Sequence, residues 1–170
     1  MTLITEDYRA QNRSLHDSIP EYGTSGLKWA RLVMDICAEK GLHTVLDYGC
    51  GKGTLKRCID GLDVREYDPA IPGKDTPPEP ADLVVCTDVL EHIEPDCLDG
   101  VLDDLKRLTL KCGVLVAATR PAKKVLPDGR NAHLIVQPKE WWADRIRERF
   151  EVALKGMGGG ECLFIVEPKC

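Results

Sequence analysis

Apolar residues in this chain fall into short, nearly continuous runs, separated by stretches in which they recur at helical spacing. Runs at Thr44–Tyr48, 64–67, Ala81–Thr87 and 114–119 have the density expected of strands buried on both faces of a parallel sheet. Between them, Trp29, Ala30, Val33, Met34 and Cys37 repeat at helical spacing, with Gly41 where a C-terminal cap belongs. A short helix is predicted over 54–59. An amphipathic helix is predicted from Pro95 through Leu98, Val101, Leu102, Leu105 and Leu108, closed by Gly113. Pro138 opens a further helix whose inner face is Trp142, Ile146 and Phe150. Runs at 151–154 and 162–166, joined across residues 156–160, read as a closing antiparallel hairpin. The alternation gives an α/β fold with one doubly wound, mostly parallel sheet and a C-terminal antiparallel hairpin. Residues 69–81 are rich in proline and charge and too few for a helix plus a strand. The sheet is therefore shortened between strands two and four, counting the 81–87 run as the fourth.

Candidate chemistry gathers at the ends of these strands. The first runs into Asp47-Tyr48-Gly49-Cys50-Gly51-Lys52-Gly53, an acid followed by three glycines at every second position. Glycine admits positive φ and close approach, so such a turn lets backbone N–H groups reach a ligand bearing a carboxylate, a phosphate or a similar acceptor. The second ends at Asp68-Pro69, about twenty residues past the first, the offset at which nucleotide-binding α/β folds place an acid on ribose hydroxyls. The 81–87 run ends in Asp88-Val89-Leu90-Glu91-His92, ionisable groups at the sheet edge where open α/β folds bind ligands.

Composition narrows the partners. At 170 residues the chain suits one domain, and a formal net charge of -5 gives no general attraction to nucleic acid or anionic membrane. No apolar run approaches membrane-spanning length and no signal-peptide pattern stands at the N-terminus, so a soluble, cytoplasmic protein is expected. The cysteines include no Cys-x-x-Cys pair, and several lie inside strand-like runs, as buried reduced thiols would.

Taken together, the Asp47–Gly53 motif, Tyr67-Asp68-Pro69, and the run from Asp82 through Asp88, Glu91, His92 and Ile93 resemble a class I, Rossmann-like S-adenosylmethionine-dependent methyltransferase. The resemblance covers residues 27–170 and leaves 1–26 as an arm or cap over the site. It implies S-adenosylmethionine as cofactor, contacted by Gly49, Gly51, Gly53, Asp68 and Thr87, with Asp47 shaping the turn. It also exposes a departure: the acid that family members set against the adenine near strand three has only Asp75 and Glu79 as candidates here.

A narrower likeness concerns Asp88, Glu91, His92 and the later His133. They are similar to the acid-x-x-Glu-His cluster that binds a divalent metal in small-RNA 3′-terminal ribose 2′-O-methyltransferases and in ubiquinone-pathway O-methyltransferases. At helical spacing Asp88, Glu91 and His92 share a face, and the likeness implies magnesium or manganese. The activity implied is methyl transfer to an oxygen or nitrogen of a small molecule, with Arg120, Lys123, Lys124 and Arg130 favouring an anionic one. His92, His133 and Asp88 are the catalytic candidates, a histidine taking the acceptor's proton. Two alternatives stand beside it: methylation of an RNA or DNA terminus, and a non-catalytic S-adenosylmethionine-binding module. A nicotinamide-binding domain is disfavoured by the Gly-x-Gly-x-Gly spacing.

Overall fold

In the computed structural model, which describes residues 2–155 and 159–169, every predicted strand forms. They are β1 (Thr44–Tyr48), β2 (Asp63–Tyr67), β3 (Ala81–Thr87), β4 (Thr109–Ala118), β5 (Phe150–Lys155) and β6 (Glu161–Pro168). They make one sheet in the order β2-β1-β3-β4-β6-β5. β2, β1, β3 and β4 are parallel, and β6 runs antiparallel to both β4 and β5. The expected architecture is borne out, including the missing strand: β2 is an edge, and the chain passes from it to β3 through turns. Three residues of the expected hairpin turn, Gly156, Met157 and Gly158, lie outside the described residues.

Strand alternation fixes what each face buries. On β3, Leu83 and Val85 join Val45, Val64 and Val114 beneath α2 (Ala30–Lys40). Val84 and Cys86 point the other way, into a core with Leu102 and Leu105 of α3 (Leu98–Leu108) and Trp142 of α4 (Lys139–Arg147). Each fully buried leucine there adds about 1.5–3 kcal/mol of hydrophobic stabilisation. Gly41 caps α2 in the left-handed conformation, as its position predicts.

Several local expectations are corrected. Residues 54–59 form no helix, only a 3-10 turn at Lys56–Cys58. Leu55 and Ile59 are buried as helical spacing demands, but a segment this short cannot sustain α-helical nucleation, and Ile59 is already extended toward β2. Gly113 does not close α3. It lies inside β4, where a Cβ would stand 2.7 Å from Val166 Cγ2 on β6, so glycine permits the two strands to pair. Phe150 belongs to β5 rather than to the preceding helix.

The N-terminal residues are ordered by two devices. The Thr5 side chain caps α1 (Glu6–Ser18) by accepting from the Tyr8 N–H, and Tyr8 and Leu15 bury against Leu126 and Ala132. The segment at 120–133 is folded back by a Val125–Asn131 bridge, with the Asn131 carboxamide clamping both backbone groups of Ala122. Helix α1 and this distant loop therefore share a small core of their own.

Candidate active site

Above the C-terminal ends of β1, β2 and β3 lies a cavity of about 480 Å³, within the range of roughly 300–1,000 Å³ usual for small-molecule sites. Gly49, Asp68, Asp88, His92 and His133 line it from the sheet side and the 120–133 loop, and Tyr8, Asn12 and Tyr22 from the N-terminal side.

The glycine turn is built differently from its sequence reading. The N–H groups of Gly49 and Cys50 both donate to the Tyr67 carbonyl, that of Gly51 to Asp68 Oδ2, that of Lys52 to the Gly23 carbonyl and that of Gly53 to the Cys50 carbonyl. All five are spent inside the protein, so the turn offers no free row of donors to an anion. The glycines serve close approach instead. A Cβ on Gly49 would stand 2.3 Å from Val89 Cγ2, one on Gly51 would stand 2.5 Å from the Gly23 carbonyl oxygen, and one on Gly53 would stand 2.0 Å from Glu66 Oε1. All three have positive φ. Of the expected cofactor contacts, Gly49 and Asp68 line the cavity; Asp47, Gly51, Gly53 and Thr87 are buried behind it.

Asp68 is held in a fixed orientation. Its Oδ2 accepts from the Gly51 N–H at 3.0 Å and its Oδ1 from the Ala70 N–H at 3.0 Å, and His16 Nε2 of α1 lies 3.9 Å from Oδ2. Each carboxylate oxygen can accept a second hydrogen bond, so capacity remains for two hydroxyls. Asp47, on β1 opposite Glu66 of β2, is buried with Oδ2 unpartnered. Burial first, then the charges of Glu66 and Asp68, raise its pKa to about 7, with Lys74 opposing.

Asp88 takes φ 55, the only positive φ of a non-glycine residue among those described. It turns the chain out of β3 into a 3-10 turn at Leu90–His92 rather than an α-helix. Asp88, Glu91 and His92 consequently do not share one helical face. Ligand-capable atoms of Glu91, His92 and His133 lie within 4.8 Å of one another, and Asp88 is not part of that group. Glu91 is fully buried; Oε1 accepts from the Ala118 N–H at 3.0 Å and Oε2 has no partner. Burial, with Asp88 adding, pushes its pKa to about 8. Burial also draws His92 down to about 4, with the neighbouring His133 adding to the shift. The rings of His92 and His133 meet edge to face, 4.8 Å between centroids.

His133 Nδ1 lies 2.6 Å from the Arg120 carbonyl oxygen. A carbonyl only accepts, so Nδ1 carries a proton, and in the neutral ring Nε2 is the nitrogen with the lone pair. Lys124 stands over the Tyr22 ring at 4.9 Å, while Arg130 pairs with Asp128 and does not line the cavity.

Sequence reasoning sets residues 1–26 over the site but gives no role to Tyr8, Asn12 or Tyr22. The Tyr8 hydroxyl donates to the His92 carbonyl, and the Tyr22 hydroxyl donates to Asn12. The spacing of Tyr8, Asn12 and Leu15 on one face of α1 was the available signal.

The profile of a family described as a methyltransferase domain matches residues 22–152. The chain belongs to this family. No curated protein sequence matches it. Among solved structures, this methyltransferase is similar to the Burkholderia thailandensis 1,6-didemethyltoxoflavin-N1-methyltransferase, solved with 1,6-didemethyltoxoflavin and S-adenosylhomocysteine bound. The TM-score is 0.71 at 15% identity, over 100% of this chain and 93% of that one. It is similar too to the magnesium protoporphyrin IX methyltransferase of Synechocystis PCC 6803 with bound S-adenosylmethionine, with a TM-score of 0.61 at 15% identity, over 99% and 100% of the two chains. A third is the N-methyltransferase NodS of Bradyrhizobium japonicum, with a TM-score of 0.54 at 12% identity, over 83% and 86%. These likenesses show the fold. With the family match, they bear out the resemblance drawn from the Asp47–Gly53 and Asp68 motifs. No helix among the described residues is long and apolar enough to cross a membrane.

Proposed function

We propose that this methyltransferase transfers a methyl group from S-adenosylmethionine to an oxygen or nitrogen of a small, anionic molecule in the 480 Å³ cavity. The observation that carries the reading is that Gly49 and Asp68 line the same cavity as His92 and His133, so that donor-binding and proton-accepting groups face one space. The two retained acceptor positions on Asp68 suit a ribose diol. The Burkholderia and Synechocystis enzymes, which share this fold, hold S-adenosylhomocysteine or S-adenosylmethionine. Asp47, Gly51, Gly53 and Thr87 act from behind, keeping the turn in shape.

S-adenosylmethionine supplies a methyl group already activated on its sulfonium, so the protein's work is alignment and exclusion of water. Residues 1–26 act as the cap. His133 Nε2 takes the acceptor's proton, His92 stays neutral near pH 7 beside it, and Asp88 orients the acceptor from the end of β3. Lys123 and Lys124 on the cavity lining favour an acceptor with a carboxylate or phosphate. The seven cysteines among the described residues are all unpaired, which supports a reducing, cytoplasmic setting. Incubation with methyl-labelled S-adenosylmethionine and a panel of small hydroxyl and amine acids tests this. Transfer is expected with the wild type and lost in His133→Ala. Donor binding without transfer to any member would favour a non-catalytic module.

A second reading adds a divalent cation at Glu91, His92 and His133. It is favoured by the buried Glu91 carboxylate, which keeps Oε2 unpartnered and has an oxygen within 4.8 Å of two imidazoles, a donor set of hard oxygen and nitrogen that suits magnesium, manganese or iron. These residues would hold the ion, which would lower the pKa of a nearby hydroxyl. Magnesium or manganese should raise the melting temperature of the wild type but not of Glu91→Gln. Equal melting of both proteins with metal and with chelator would remove this reading.

A further inference from the structure

We infer that α1 and the residue preceding its cap supply the wall against which the donor's purine base packs, in place of the strand-three acid this chain lacks. The inference rests on the reading of S-adenosylmethionine as donor. Neither Asp75 nor Glu79, the acids of the shortened stretch, lines the cavity, and Asp75 accepts from the Gly73 N–H at the surface. The base site must therefore be built from other residues.

An apolar place next to Asp68 qualifies. Beside the main cavity is an apolar recess of about 40 Å³, and the two share Ile4, Tyr8, Gly49, Pro69, Val89 and Ile93. The recess alone is smaller than a purine, so the base lies across its mouth with one edge in the main cavity. Pro69 follows directly on Asp68, which places the slot next to the ribose acid. Ile4 and Tyr8, four residues apart, come from the N-terminal side, and Pro69, Val89 and Ile93 from the ends of β2 and β3. Apolar walls suit the faces of a purine, which need no charged partner.

The wall is also fixed in place. The Tyr8 hydroxyl donates to the His92 carbonyl, and both the Thr5 N–H and its hydroxyl donate to Glu94, each at 2.8 Å. These bonds tie the start of α1 to the turn after β3. Binding of the base is thereby linked to the seating of the N-terminal helix over the site.

Calorimetry with two ligands tests this. S-adenosylhomocysteine carries the base; S-ribosylhomocysteine lacks it and keeps the rest. Ile4→Trp, which fills the slot, should weaken S-adenosylhomocysteine at least tenfold and leave S-ribosylhomocysteine within twofold. Ile4→Ala, a milder change at a half-buried position, should weaken the first about threefold and spare the second. Unchanged affinity for S-adenosylhomocysteine in both variants overturns the inference, as does an equal loss for both ligands, which would mean that the helix supports the whole site rather than the base. A wild type that binds neither ligand overturns the donor reading, and this inference with it.

Discussion

Replacing Asp47 by asparagine should stabilise the ligand-free protein, and increasingly so as pH rises. The carboxyl is buried, Oδ2 has no partner, and its pKa is raised from the usual carboxylate range to about 7. Glu66 and Asp68 push it up and Lys74 pulls it down, without cancelling the cost of burial. In the unfolded chain the group ionises near 3.9. Between the two values the folded state binds more protons than the unfolded one, so stability is full below about pH 4 and falls until about pH 7. A shift of about three units at 1.36 kcal/mol each sets a ceiling of ~4 kcal/mol on the loss. Asparagine has nearly the same shape and never ionises, so it avoids that loss while making the same contacts as the protonated acid. Urea unfolding of both proteins at pH 4.5, 6, 7 and 8 reads the difference directly, because all other titrations are common to the pair. The asparagine variant should lead by no more than ~1 kcal/mol at pH 4.5 and by a few kcal/mol at pH 8. A difference that stays constant within ~0.5 kcal/mol across this range would refute the assignment of Asp47 as a buried, uncompensated acid.

Other perturbations separate stability from function. Gly49→Ala forces a Cβ onto Val89 at positive φ and should cost ~2–3 kcal/mol in thermal unfolding, with Val89→Ala in the same chain recovering part of it. Asp88→Gly relieves the left-handed strain and should gain ~1 kcal/mol in chemical denaturation, while lowering the rate of methyl transfer. Tyr8→Phe removes the hydroxyl that binds the His92 carbonyl and should cost ~1 kcal/mol, with no change in secondary structure by circular dichroism.

Much of the scaffold was legible because burial and spacing act locally. The continuous apolar run at Ala81–Thr87 could only be a strand covered on both faces, and Gly41 could only be a cap. Punctuation was less reliable where tertiary contacts decided it. Gly113 looks like a stop signal, yet its lack of a side chain answers to Val166 on a strand fifty residues away. The glycines of the turn look like room for a ligand, whereas each makes room for another part of the protein. Helical spacing of Asp88, Glu91 and His92 failed because one left-handed residue, Asp88, changes the direction of everything after it. The roof was the least legible part. Nothing in residues 4–15 or 122–134 shows that Tyr8 and Leu15 will share a core with Leu126 and Ala132, because that pairing is a product of the fold. Family membership was readable from the strand-end motifs, which local chemistry does determine.

The central claim is that the cavity over β1 and β2 holds S-adenosylmethionine with its ribose on Asp68. Calorimetric titration of the wild type and Asp68→Ala with S-adenosylhomocysteine tests it most directly. One site per chain is expected in the wild type, weakened at least tenfold in a folded Asp68→Ala. No binding by the folded wild type, or equal binding by the two proteins, would contradict it.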